Sequence, residues 1–344
     1  MEVYVGLDIS QSMTHLCVVD IKGQRIWEGK CRTSPDDIAK TIREKAPTAA
    51  LIGMEAGALS PYLWHELTRM GLPVVCIEAR HAHKTLGEQL NKTDKHDARG
   101  IAQLVRTKFF KEVKVKSMKS HQVRTLLGAR AQLVWMRTDV KNQIRGALKT
   151  HGFVVSHSME KSFKGKVIGI TKDCPVLAQM VAPLLRVLET VERETQELDK
   201  LFQEYAENNA TCENLMTIPG VGAITAVAFT TAVDDPKRFR KSRSVGAYFG
   251  LTNRRDQSGE RDVAGRVSKR GDKLVRSYLF EAANSLLTRT KSWSALKSWG
   301  LRIAKRSCMG KAKVAVARKL AVIMHQMWLT GEAFRWSEGE AAAA

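Results

Sequence analysis

Val3-Tyr4-Val5-Gly6-Leu7-Asp8-Ile9-Ser10 is the stretch whose reading decides the fold of the first third of the chain. Val3, Val5, Leu7 and Ile9 recur every second residue, the period of a strand with one buried face, and Asp8 falls near its end. Further strands are expected at about 14–20 and 24–30, at hairpin distance, with Lys22-Gly23 as the turn. Ser34-Pro35-Asp36-Asp37 starts a helix that should run to about Lys45, before Pro47. A short buried strand follows at about 49–54, a helix at about 60–70 ending at Gly71, a strand at about 73–77, and helical sequence again near Arg80. Three strands, helix, strand, helix, strand, helix is the element order of the ribonuclease H-like fold, an antiparallel meander feeding βαβ units.

Beyond this α/β region the chain turns helical. Residues 121–149 are basic and lack strand signals. Leu184, Leu188, Val191, Thr195, Leu198, Phe202 and Tyr205 are then spaced 4, 3, 4, 3, 4, 3, a coiled-coil seam of about three heptads. The same pattern equally suits a helix packed in a globular bundle. Between Glu189 and Glu213 stand eight acidic and two basic residues, so this helix is not a nucleic-acid surface. The expected divisions are an α/β domain at 1–118, a helical and coiled-coil linker at 119–212, a mainly helical domain with basic loops at 213–335, and a tail at 336–344.

The 344 residues carry 56 Lys+Arg against 35 Asp+Glu, a net charge of +21. With 44% hydrophobic and 26% charged residues the chain is neither disordered nor collagen-like. Residues 236–276 hold thirteen Lys+Arg against Asp256, Glu260, Asp262 and Asp272, and residues 302–319 hold seven with no acid. Such an excess, gathered in the C-terminal third, implies a polyanionic partner, nucleic acid before membrane. Residues 314–328, the most apolar late stretch, are interrupted by Arg318, Lys319 and His325, so no membrane span is expected. Six scattered cysteines without a Cys-x-x-Cys pair argue against structural zinc and a disulfide framework, and with no basic leader at the start they read as a reduced, cytoplasmic protein.

Four carboxylates stand out. Asp8 ends the first strand, Glu55 follows Leu51-Ile52-Gly53-Met54, and Asp94 and Asp97 lie at i and i+3 in Lys92-Thr93-Asp94-Lys95-His96-Asp97. Acids at adjacent strand ends lie where α/β active sites form. Brought together they repel unless a proton or divalent cation intervenes, and an all-oxygen set favours Mg²⁺ or Mn²⁺. Taken singly, Asp94 or Thr93 is also a plausible N-cap and Asp97 a first-turn acid favoured by the helix dipole.

Two further motifs bear on phosphate chemistry. Ile218-Pro219-Gly220-Val221-Gly222 between apolar helical segments is the helix-hairpin-helix pattern, which turns backbone N–H groups toward a phosphate through Gly220 and Gly222; an ordinary interhelical turn reads the same way. Tyr248-Phe249-Gly250-Leu251-Thr252-Asn253-Arg254-Arg255-Asp256-Gln257-Ser258-Gly259 offers a serine in a Gly-flanked loop, with Arg254, Arg255, Arg266, Lys269 and Arg270 available to hold phosphates. Lys311 and Lys313 of the later basic cluster are further nucleic-acid candidates. Ser268 lies in an equally basic segment, and Ser242 and Ser244 lie upstream.

Val5-Gly6-Leu7-Asp8, Met54-Glu55-Ala56, Lys92-Thr93-Asp94-Lys95-His96-Asp97-Ala98, and the block from Pro219-Gly220-Val221-Gly222 through Gln257-Ser258-Gly259 to Ser268-Lys269-Arg270-Gly271-Asp272 together resemble the DEDD-type transposases of the insertion-sequence-110 family, including its 1111 branch. The resemblance covers nearly the whole chain and implies a RuvC-like first domain in which Asp8, Glu55, Asp94 and Asp97 hold Mg²⁺, Mn²⁺ substituting. It also implies a transposase domain in which Ser258 is the nucleophile of a covalent phosphoserine link to DNA, with Ser268 in reserve. A structured non-coding bridge RNA from the element as guide, homodimers joining into tetramers, and action at the bacterial nucleoid are implied as well. Asn253 stands where the family's usual proline follows Gly-Leu-Thr.

The expected function is therefore a transposase or site-specific DNA recombinase that moves its own element. The rival is a metal-dependent RuvC-like junction resolvase with water as nucleophile, which gives Ser258 no role. An actin-like or sugar-kinase-like ATPase would need a second Asp-x-Gly phosphate loop and a Gly-Gly adenosine motif, and neither is found. A non-catalytic scaffold leaves the four carboxylates unexplained.

Overall fold

The computed structural model describes residues 2–80, 82, 94–156, 163–259 and 261–336, which divide into two compact units at Met118/Lys119. The terminal alanines lie outside the described residues.

In the first unit β1 (Val3–Ile9), β2 (Met13–Asp20) and β3 (Arg25–Arg32) form an antiparallel meander. β4 (Ala49–Glu55) pairs parallel with β1, and β5 (Val74–Ile77) with β4, giving the sheet order β3-β2-β1-β4-β5. Helix α1 (Pro35–Lys45) begins where expected, because Ser34 Oγ accepts the Asp37 amide at 3.2 Å and Pro35 occupies the first turn. With α2 (Ser60–Arg69) it covers one face, where Val3, Val5, Leu7, Ile52 and Met54 are buried. Helix α3 (Asp94–Thr107) covers the other, against Tyr4, Cys17 and Val19.

What lets α3 approach is a pair of glycines. Gly6 and Gly53 are register partners across β1 and β4. A Cβ on Gly6 would stand 2.0 Å from the Ala98 carbonyl oxygen, and one on Gly53 2.5 Å from Val105 Cγ1. The helix therefore approaches most closely over this pair, where the sheet carries no side chains.

The second unit is built on α8 (Ala223–Val233), whose residues Thr225–Val233 are all buried among α6 (Pro175–Glu207), α7 (Ala210–Met216), α10 (Lys273–Thr288) and α12 (Met309–Thr330). Residues 119–212, expected as a separate linker, belong to this same unit. Helix α4 (Met118–Thr150) runs antiparallel to α6, with Arg130 bonded to Asp199 and Lys141 Nζ 2.8 Å from Glu192. The heptad seam is covered within the chain. Leu184 and Leu188 pack with Ile144, Leu148 and Phe163, the last on α5 (Phe163–Thr171), whereas Leu198, Phe202 and Tyr205 join the main core beside Val123 and Leu127. Trp336, expected to begin the tail, is held: its carbonyl accepts the Ala295 amide at 3.0 Å. The remaining elements are α9 (Arg243–Tyr248), α11 (Ala295–Arg306) and a hairpin of β6 (Asn253–Ser258) and β7 (Arg261–Val267).

Candidate active site and nucleic-acid surfaces

Strand alternation puts the first two carboxylates on one face. Val3, Val5 and Leu7 point to α1 and α2, so Asp8 projects with Tyr4 to the α3 side. On β4, Ile52 and Met54 point to α1 and α2, so Glu55 projects to the α3 side as well. Leu7 pairs with Met54, which makes Asp8 and Glu55 the next pair in a parallel ladder, at the carboxyl ends of both strands. They line one cavity of about 580 Å³ together with Ser10, Gln11 and Ser60. The loop that closes it is fastened by Ser60, whose Oγ donates to the Glu55 carbonyl at 2.6 Å and accepts the Gly57 amide at 2.7 Å.

Helix α3 delivers its first turn to that end of the sheet. Near its other end Gln103 Nε2 donates to the Gly23 carbonyl at 2.7 Å and Arg106 Nη1 to the Ile21 carbonyl at 3.1 Å, beside the β2–β3 turn. That turn follows Asp20, the partner of Val3, so α3 runs opposite to β1 and its start faces the Asp8 end. Asp94 and Asp97 occupy this start, Asp97 half-buried; the Asp94 side chain lies outside the described residues. Among the described residues no group of three or more His, Cys, Asp or Glu is gathered closely enough to hold a metal. What is assembled is the Asp8–Glu55 pair, an all-oxygen set that fits a hard divalent cation. His15, which sequence reasoning passed over, is the antiparallel register partner of Asp8 and so shares its face. Only the strand register shows this.

Ser258 does not sit in a loop. It is the last residue of β6, exposed, paired with Arg261 across a two-residue turn that contains Gly259 at φ 56°. Arg255 and Asp262 face each other along the hairpin with Nε–Oδ1 2.7 Å and Nη2–Oδ2 2.5 Å. The hydrogen bond from Arg255 holds the Asp262 carboxyl below its usual range and raises the guanidinium in turn. Ser268 is at the other end, half-buried, its amide donating to the Thr252 carbonyl at 2.8 Å and its carbonyl 3.5 Å from Arg254 Nη2. Five residues of strand, roughly 16 Å at about 3.3 Å per residue, separate the tip from the base. Lys269 and Arg270 sit at that base, exposed; a Cβ on Gly250 would meet the Arg270 carbonyl oxygen at 1.9 Å, so this end of the motif is a packed backbone contact.

The Gly220 turn is likewise occupied by the fold. Gly220 has φ 88°, and a Cβ there would stand 2.5 Å from the Ala282 carbonyl oxygen of α10. Gly222 is different: it is exposed and caps α8 without a side chain. Of the later cations, Arg266 and Lys311 line a groove of about 1260 Å³ beside α11 and α12, whereas Lys313 lies over the Phe280 ring at 5.9 Å. Among the described residues no helix is long and apolar enough to cross a membrane.

Known proteins match this chain along most of its length. The chain is 27% identical over 339 residues to the transposase for insertion sequence element IS1111A of Coxiella burnetii, covering 96% of this chain and 91% of that one. It is 23% identical over 338 residues to the transposase for insertion sequence element IS1328 of Yersinia enterocolitica, covering 96% and 98%. The Thermus thermophilus RuvC structure is 14% identical and covers 32% of this chain and 99% of its own, with a TM-score of 0.25. Residues 5–153 match the family model of DEDD transposases of the IS110 type, described as "Transposase", and residues 212–298 match the model described as "Transposase IS116/IS110/IS902 family". One match covers most of the unit that carries Asp8 and Glu55 and runs on through α4, the other covers the hairpin that carries Ser258, and together they show that the chain belongs to the IS110 family of transposases.

Proposed function

We propose that this transposase is a DNA recombinase of its own insertion element, acting through a RuvC-like carboxylate site and a serine nucleophile. The observation that carries the reading is the placement of Asp8 and Glu55 side by side at parallel strand ends, on the face to which α3 brings Asp94 and Asp97. The sheet order, with a meander at one edge and parallel strands at the other, supports the ribonuclease H-like assignment. Asp8 and Glu55, with Asp94 and Asp97, would hold Mg²⁺ or Mn²⁺. A divalent ion bound there supplies charge neutralisation at a scissile phosphate.

Ser258 is presented at the tip of a hairpin whose strands carry Arg254, Arg255 and Arg266. Its Oγ bonds to phosphorus as a deoxyribose oxygen leaves with the bonding electrons and takes up a proton, the hydroxyl proton passing to solvent. The phosphoserine so formed conserves the energy of the cleaved bond for rejoining. Family membership supports the remaining parts of the reading: element ends and target as the DNA substrates, a structured RNA from the element as guide, and a homodimer that assembles to a tetramer.

The test is a denaturing gel of labelled element-end DNA incubated with protein, Mg²⁺ and the RNA transcribed from the element's flank. A protein–DNA adduct that survives denaturation, present in the wild type and in Ser268→Ala but absent in Ser258→Ala, is expected. Strand exchange retained by Ser258→Ala overturns the nucleophile. Cleavage without any adduct replaces the recombinase with a water-using resolvase.

A further inference from the structure

Cations from both basic clusters, residues 236–276 and 302–319, converge in the second unit on one groove of about 1260 Å³. Seven lysines and arginines and no aspartate or glutamate line it. Arg243 comes from α9, Arg266 from the base of the hairpin, Arg306 from the end of α11, and Lys311, Arg318 and Lys319 from α12. These segments are distant in sequence, so the convergence is a product of the fold. Among the described residues none of these cations is in an ion pair with an acid, although the unit pairs Arg124, Arg130, Lys141 and Lys164 with carboxylates elsewhere. Charges left unneutralised and facing one another destabilise a fold unless an anion joins them. Arg318 is held in place by its stem, which lies across Gly246 so closely that a Cβ there would be 3.0 Å from Arg318 Cγ.

The floor is apolar rather than polar. Trp299, Ile303, Val314 and Val322 line it, all of them half-buried. A duplex backbone needs only the rim and gains nothing from an apolar floor, since its bases are stacked inside. An unpaired strand offers phosphates to the rim and base faces to the floor, and an indole within a cationic groove is the recurring device of single-strand sites.

We propose that this groove binds a single-stranded stretch of nucleic acid, with a base against Trp299 and phosphates on Arg243, Arg266, Arg306, Lys311, Arg318 and Lys319. The proposal rests on the recombinase reading, and it adds the form in which nucleic acid occupies this surface. Because Arg266 belongs to the strand that pairs with β6, the bound segment lies at the foot of the hairpin that ends in Ser258. Single strands arise from DNA opened at the cleavage site or from unpaired RNA, and the groove chemistry is shared by both.

The experiment uses the full chain freed of nucleic acid, with fluorescent dT12, rU12 and a blunt hairpin duplex as probes, and 5-iodouracil versions of the two single strands for photocrosslinking. Expected is a crosslink on the Trp299 peptide. Trp299→Ala should weaken binding of a single strand at least tenfold with the duplex changed less than twofold, Trp299→Phe should retain binding, and Arg318→Gln/Lys319→Gln should flatten the salt dependence. Tighter rU12 than dT12 identifies the occupant as RNA, the reverse as DNA. Crosslinks that avoid Trp299, or equal losses on duplex and single strands, overturn the proposal. The element-end cleavage assay separates the two readings: cleavage with a silent groove refutes only the groove, whereas groove binding without cleavage by the wild type refutes only the recombinase.

Discussion

Asp272 uses its two carboxylate oxygens on two helices: Oδ1 accepts the Leu274 and Val275 amides at 2.9 and 3.0 Å, capping α10, while Oδ2 accepts from Arg124 of α4. The pair is mostly shielded, with 23% of the Arg124 and 15% of the Asp272 side chain exposed. One residue therefore starts the helix that packs on Gly220 and ties the long basic helix to it.

Substitution should separate the two roles. Asp272→Asn keeps an acceptor for the cap but loses the charge, and should destabilise the second unit by roughly 1–2 kcal/mol. Asp272→Ala removes the cap as well, adding about 1 kcal/mol. Urea unfolding followed by the circular dichroism of the helices measures the difference; equal losses for the two variants would show that the cap contributes nothing.

Gly6 and Gly53 make a comparative prediction. A Cβ on Gly6 meets the backbone of α3, at the Ala98 oxygen and the Ala102 nitrogen (2.0 and 2.4 Å), and backbone cannot step aside. A Cβ on Gly53 meets the side-chain tips of Val105 and Ile101, at 2.5 and 3.0 Å. Gly6→Ala should therefore destabilise by about 3 kcal/mol and Gly53→Ala by about 1 kcal/mol, the usual range for overpacking. Because displacing α3 moves Asp94 and Asp97, Gly6→Ala should also lower DNA cleavage in the protein that remains folded, a loss that cleavage per folded molecule would reveal.

His325 carries a pH dependence. It is fully buried, with Nε2 2.9 Å from the Pro236 carbonyl and Nδ1 3.0 Å from Ser242 Oγ. The carbonyl can only accept, so Nε2 donates, and in the neutral ring Nδ1 accepts the Ser242 hydroxyl. Burial holds the imidazole below its ordinary value, against a smaller opposing effect of the Pro236 bond. Between the folded and unfolded values the unfolded chain binds more protons. The stabilisation is thus complete above about pH 6.5 and is lost as pH falls below it. His325→Gln should be less stable than wild type by roughly 1–3 kcal/mol at neutral pH, with the gap narrowing toward pH 5. A gap that stays constant with pH would mean that His325 does not titrate with unfolding.

Which parts of this were legible beforehand follows from where the physical signal lies. Val3, Val5 and Leu7 alternate because one face of β1 meets α1 and α2, and Ser34-Pro35 marks α1 because capping is local; both are written in neighbouring residues. Strands β6 and β7 are not, since Asn253–Ser258 has no buried apolar face and is held by its ladder and the Arg255–Asp262 pair. The seam from Leu184 to Tyr205 announces a covered stripe but not its cover, which is α4, α5 and α8 of the same chain. Gly220 illustrates a true ambiguity: a glycine needed for close approach to a helix backbone reads the same as one needed for approach to a phosphate. His15 depends on the register of the β1–β2 hairpin, which strand spacing alone does not fix, and the basic groove depends on long-range convergence, for which single-chain spacing holds no signal.

The carboxylate pair makes a prediction that needs no DNA. Asp8 and Glu55 project to the same face from adjacent strand ends, and two ionised carboxylates so placed repel each other when no cation lies between them. The melting temperatures of Asp8→Asn and Glu55→Gln in EDTA set the metal-free baseline of each variant. A cation that binds the folded site and not the unfolded chain stabilises by an amount set by its concentration over its dissociation constant, about 2.7 kcal/mol at a hundredfold excess. Wild type should accordingly rise in melting temperature with added Mg²⁺ or Mn²⁺, and each variant should lose most of that rise while keeping its baseline. A metal-induced rise undiminished in both variants would place the cation elsewhere and remove the carboxylate site from the mechanism.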